Sequence, residues 1–89
     1  MEPQQLLELF DSARQRLLAL PEETLIPSPR DPEGTLIYPW ELAVNITMVQ
    51  DTVFGFGETV SEGEIKALRK AIERIFGIIE EAENKVSQL

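Results

Sequence analysis

Apolar residues recur at helical spacing between residues 3 and 20. Pro3 suits the first turn of a helix, because the N–H that proline lacks has no helical partner there. Pro21 cannot continue a helix. The pattern predicts a first helix over residues 3–20, with one apolar face formed by Leu6, Phe10, Ala13, Leu17 and Leu20.

The next segment, residues 21–39, contains five of the six prolines, so no helix can run through it. Two short runs within it resemble each other, Thr24–Pro27 and Thr35–Pro39. Between them, residues 31–34 have the composition of a β-turn, with proline second and glycine fourth. We expect an extended segment or a short β-hairpin that turns at residues 31–34.

A second helix is predicted over residues 39–54, before Gly55. One of its faces is typical of a protein core and consists of Leu42, Ile46, Val49 and Val53. A second apolar ridge lies on another side of the helix and is formed by Trp40, Val44 and Met48. A helix that is apolar on two sides either lies in the centre of its domain or is covered by another molecule.

The most regular pattern lies in residues 61–88, which predict a third helix. Ser61 and Glu64 match a capping box at its start. Gly77 costs about 1 kcal/mol relative to alanine within a helix, so it marks either a close contact or a tolerated exposed position. The apolar residues alternate at spacings of three and four: Ile65, Leu68, Ile72, Ile75, Ile79, Ala82, Val86 and Leu89.

These elements predict one mainly α-helical domain over residues 1–89, with three helices and a proline-rich insertion between the first two. The third helix is longer than either of the others. We therefore expect its end to extend beyond its own domain and to pair with a second copy in a homodimer, or with a partner, through Ile79, Ala82, Val86 and Leu89. The alternative is that its last turn frays.

Composition restricts the classes of function. The net charge is −8, with 16 acidic against 8 basic residues, and such a field repels nucleic-acid phosphates. The absence of cysteine and histidine removes disulfides and the usual zinc ligands, so we expect no cofactor. No apolar run is long enough to span a membrane, and no export signal begins the chain. We expect a cytoplasmic protein without membrane or nucleic-acid partners.

Two pairs of acids at one-turn spacing, Glu8/Asp11 and Glu80/Glu83, are the candidates for catalysis. Facing pairs of this kind could hold Mg²⁺ in a nucleotide hydrolase. No basic or aromatic nucleotide pocket accompanies them, and a solvated acidic face explains both pairs more simply. We therefore expect that the protein is not an enzyme and keep the hydrolase as a second alternative.

The ridge on the second helix, together with Tyr38 before it, is the best candidate for a functional surface. Tryptophan and methionine are enriched where proteins meet. The residues predicted to bind a partner are Tyr38, Trp40, Val44 and Met48, unless residues 21–39 fold back over them. This pattern favours an acidic protein-interaction module, such as an adaptor, an assembly factor or a chaperone-like binder.

The first alternative function is an acidic inhibitor that mimics nucleic acid. Such a protein would present carboxylates along one exposed face and bind its target with a steep dependence on salt. The acids that would serve this purpose are Glu22, Glu23, Asp31, Glu33 and Glu41.

Overall fold

Helix α1 (Pro3–Ala19) packs against both of the other helices, α2 (Pro39–Phe54) and α3 (Glu62–Ser87). A two-stranded hairpin of β1 (Ile26–Ser28) and β2 (Asp31–Ile37) connects α1 to α2. These elements come from a computed structural model, which describes residues 2–55 and 60–88. The predicted three-helix fold with a hairpin insertion is confirmed.

Side chains near each helix start accept hydrogen bonds from backbone N–H groups that have no helical partner. The Gln5 side chain accepts from Glu2 N at 3.0 Å, before α1. The Glu41 carboxylate accepts from Tyr38 N at 2.7 Å, before α2. Ser61 Oγ accepts from Glu64 N at 3.2 Å and begins α3, as its capping-box sequence predicts.

The core lies along α1, whose apolar face is buried at every turn as predicted. Three α3 residues at seven-residue spacing, Ile65, Ile72 and Ile79, are buried as well, on the helix that packs against α1. Full burial of an aliphatic side chain contributes about 1.5–3 kcal/mol. The buried apolar residues are Leu6, Phe10, Ala13, Leu17, Leu20, Ile26, Leu42, Ala43, Ile46, Ile65, Ile72, Ile79 and Ala82.

The two strands pair antiparallel, with Ile26 opposite Ile37 and Pro27 opposite Leu36. Ile26 is buried against the core, and β1 contacts α3. Leu25 and Leu36 are exposed. The hairpin therefore anchors to α3 through one side and leaves aliphatic residues of the other side in water.

The turn of the hairpin differs from the prediction, which placed it at residues 31–34. Pro29 and Arg30 form the turn, while residues 31–34 belong to β2 and lie beside a shift in register. Ser28 Oγ accepts a hydrogen bond from Arg30 N at 3.3 Å, and this contact stabilises the turn at Pro29 and Arg30. Asp31 instead accepts from the Thr35 hydroxyl at 3.0 Å within β2.

The C-terminal half of α3 lies against α1 and not beyond it. The sequence predicted that this end extends beyond its own domain, but Ile79 is fully buried and Ala82 is buried too, so at these two residues it does not. The physical reason is the placement of α1, whose Arg16 reaches Glu83 of α3. Val86 is half-buried against the same core, and Leu89 lies outside the described residues.

Within residues 2–55 and 60–88, none of the helices combines the length and the apolar character that a membrane crossing requires.

Candidate protein-binding surface

The ridge predicted on α2 is exposed along its length. Trp40 is 54% exposed and Met48 is 61% exposed, and Val44 between them is exposed as well. Tyr38, the residue before α2, is also exposed. The proline-rich segment does not cover the ridge, because its hairpin packs toward α3 instead.

Leu18 of α1 extends this exposed surface, since it is 62% exposed and lies beside α2. It shares a shallow groove of about 260 Å³ with Trp40, Val44 and Met48. We call these four residues, Leu18, Trp40, Val44 and Met48, the apolar stripe. Sequence reasoning missed Leu18 because it follows the core residue Leu17. Its position about 100° around the helix from Leu17 could have indicated that Leu18 lies away from the core.

A second depression adjoins the apolar stripe at the end of α1. It is an open cleft of about 530 Å³, which we call the acidic cleft. Both of its carboxylates, Glu22 and Glu23, are exposed. Neither forms an ion pair or a side-chain hydrogen bond with any residue that the structure describes. The residues that line the acidic cleft are Leu17, Leu18, Leu20, Glu22, Glu23, Tyr38, Pro39 and Trp40.

Arg14 borders the groove of the apolar stripe, but its guanidinium already has partners. One nitrogen donates to Gln50 Oε1 at 2.7 Å and connects α1 to α2. Another donates to Asp11 Oδ1 at 2.9 Å within α1. Arg14 therefore positions the two helices that carry the stripe.

Arg16 connects α1 to α3. Its guanidinium donates to both carboxylate oxygens of Glu83, with a distance of 3.1 Å from Nε to Oε2, and lies 5.5 Å from the centre of the Phe76 ring. The hydrogen bond from Arg16 lowers the pKa of Glu83, and the same contact raises the pKa of Arg16. These two hydrogen bonds from one guanidinium to one carboxylate hold the C-terminal end of α3 to α1.

The predicted core face of α2 is covered only over its first half. Leu42 and Ile46 are buried, whereas Val49 is exposed and Val53 is half-buried. A groove of about 190 Å³ runs between α2 and α3, with Phe10 among its lining residues. The groove between the two helices stays open because each of them packs mainly on α1.

One acid of each pair considered for catalysis has a structural partner. Asp11 accepts from Arg14 and Gln15, and Glu83 accepts from Arg16. Over the part of the chain that is described, no three acidic side chains converge to hold a metal ion. The carboxylate of Glu41, one of the acids considered for nucleic-acid mimicry, accepts a hydrogen bond from Tyr38 N at the start of α2.

The basic cluster on the outer side of α3 contains an ion pair in which Arg69 Nε donates to Glu73 at 3.0 Å. Lys66, Lys70 and Arg74 are exposed on the same helix. An exposed pair at this spacing contributes about 0.3–0.5 kcal/mol. The cluster is therefore a solvated helix surface that supports α3 locally.

Fold and surface together define a small three-helix domain with an uncovered apolar stripe. No protein-family model matches the chain, and comparisons with curated proteins and with solved structures found no similar protein. Its function is therefore inferred from its own residues and their geometry.

Proposed function

We propose that this chain is a small acidic protein-interaction module, an adaptor, assembly factor or chaperone-like binder, whose apolar stripe contacts a partner protein. The observation that carries the proposal is the exposure of Trp40, Val44 and Met48 on one side of a folded helix, with Leu18 beside them. Contiguous apolar surface that the fold does not cover marks a site of interaction.

The energy available from the stripe supports this function. Each of its four side chains keeps about half of its surface in water. Covering all four contributes roughly 3–6 kcal/mol before the costs of association. That is a large amount beside a net stability of about 5–10 kcal/mol for a small domain. Tryptophan and methionine also suit such a surface, because both bury a large area and methionine adapts to shape.

The charge of the chain supports a protein partner over a nucleic acid. Residues 1–60, which contain the stripe, carry ten acids against three arginines. This charge repels phosphate groups. We place the interaction in the cytoplasm.

Self-association through α3, which the sequence led us to expect, is not what we propose for the free chain. Two of the four residues proposed for it, Ile79 and Ala82, are buried by α1 in the single chain. Val86 keeps partial exposure. A dimer of this kind would therefore need α1 to move, or would use residues outside the described part of the chain.

The test uses capture of partners by matched variants. Val44→Asp and Met48→Asp each place a charge on the stripe, while Asn45→Asp adds the same charge at an exposed position one residue from Val44. Proteins that copurify with the tagged wild type and with Asn45→Asp, and are lost from the two stripe variants, support the proposal. Equal capture by all four proteins contradicts it, provided that circular dichroism shows the same helical content in each.

A further inference from the structure

We infer that the partner of this chain carries a cationic side chain, an arginine next to an apolar helical face, which enters the acidic cleft while the apolar face covers the apolar stripe. This inference rests on the proposed function and adds the chemistry of the partner. It follows from the place of the cleft, because Leu18 and Trp40 line both the cleft and the groove of the stripe.

The chemistry of the cleft suits a guanidinium. Tyr38 and Trp40 supply exposed aromatic rings, and Glu22 and Glu23 supply carboxylates. A cation gains energy over the face of a tryptophan ring. The planar guanidinium of arginine can also donate two parallel hydrogen bonds to a carboxylate, which the ammonium of lysine cannot do.

The cleft lacks a cation of its own within the described residues. Its lining contains no lysine or arginine, and the arginine that lines the adjoining groove, Arg14, is bound to Asp11 and Gln50. Two carboxylates beside the aromatic side chains of Tyr38 and Trp40 therefore remain available to a partner. Their charge disfavours a second copy of this chain as the occupant, since each copy carries a net charge of −8.

The experiment uses Trp40, the only tryptophan of the chain, as a fluorescent reporter. Three helical peptides share leucines at positions i, i+3, i+4 and i+7 and differ in one flanking residue, which is arginine, its neutral isostere citrulline, or glutamate. We expect the arginine peptide to change the Trp40 emission and to bind about tenfold more tightly than the citrulline peptide at low salt. The glutamate peptide should bind most weakly.

Matched variants separate the cleft from the overall charge. Glu22→Gln/Glu23→Gln should remove the tenfold preference and leave the affinity for the citrulline peptide unchanged. Glu8→Gln/Glu81→Gln changes the net charge equally at exposed positions outside the cleft and should keep the preference. Persistence of the preference in the cleft variant overturns the inference.

The other outcomes are equally decisive. Equal affinity for the arginine and citrulline peptides overturns the cation site while the stripe remains a binding surface. Binding of none of the peptides overturns both the inference and the proposed function. A free chain that sediments as a dimer, and becomes a monomer in the Trp40→Ala variant, assigns the surface to a second copy and also overturns the inference.

Discussion

Glu83 has two guanidinium hydrogen bonds, which no other described carboxylate of the chain receives. Its pKa is lowered from the ordinary value of 4.5 by the hydrogen bond from Arg16, against a smaller opposing effect of burial. A carboxylate whose pKa is lower in the folded state stabilises the fold above its unfolded pKa. That contribution disappears as the pH falls through the lowered value.

The pH dependence of stability should therefore change in Glu83→Gln. At pH 7 we expect this variant to lose up to about 1 kcal/mol of the free energy of unfolding, because the pair is partly exposed to solvent. The difference from the wild type should decrease as the pH is lowered from 7 to about 3, because protonation of Glu83 removes the charge on which the ion pair depends. Urea denaturation at the two pH values measures it. Glu81→Gln, an exposed neighbour, is the control, and an equal loss in that variant would argue against the ion pair.

Gly77 occupies an open position on α3, since a β-carbon there would meet no atom within 4 Å among the described residues. Of the two interpretations from sequence, the structure favours the tolerated exposed glycine. Gly77→Ala should raise the free energy of unfolding by about 0.5–1 kcal/mol, because alanine loses less backbone entropy in a helix. Ala67→Gly, the reverse change at another exposed α3 position, should lower it by a similar amount. Destabilisation by Gly77→Ala in urea denaturation would show that something packs there.

Helix α2 shows how one element serves both folding and binding. Ile46 is buried against the core, and Met48, two residues later, is exposed on the stripe. Ile46→Ala should lower the free energy of unfolding by about 2–5 kcal/mol, because it leaves a cavity. Met48→Ala should change it by less than about 0.5 kcal/mol. Thermal or urea denaturation of the two variants measures the contrast, and similar losses in both would place Met48 in the core.

Helix positions could be predicted from the sequence, because apolar spacing and capping residues act locally. The three predicted ranges agree with α1, α2 and α3 to within a residue or two. The position of the hairpin turn could not be predicted with the same accuracy. Both Pro29-Arg30 and residues 31–34 have turn-forming composition, and the choice depends on pairing of Ile26 with Ile37.

Contacts between elements were harder to predict than the elements themselves. The burial of Ala82 depends on how far α1 runs along α3, which helix periodicity does not specify. The exposure of Leu18 depends on the same placement. The ridge of Trp40, Val44 and Met48 could be recognised because one helix was apolar on two sides. The acidic cleft could not be recognised from the sequence, because Glu22 and Tyr38 come together only in the folded chain.

At the scale of the whole molecule, the burial of α3 by α1 changes the expectation for self-association. One copy already covers Ile79 and Ala82, and two copies would each bring a net charge of −8. We expect the isolated chain to sediment as a monomer of 10.1 kDa at low micromolar concentration. A stable dimer at high salt and at low salt alike would show that an apolar surface pairs the copies.

The central claim is that the apolar stripe stays open in the free chain and is covered in the complex. Footprinting by carbene labelling, with detection by mass spectrometry, tests it most directly when applied to the free chain and to the chain bound to its partners in an extract of the cells that make it. Lys66 and Lys70, exposed on α3, serve as references. We predict strong labelling of Trp40 and Met48 in the free chain and protection of both in the extract, with the references unchanged. Weak labelling of Trp40 and Met48 in the free chain, or equal labelling in the two samples, would contradict the claim.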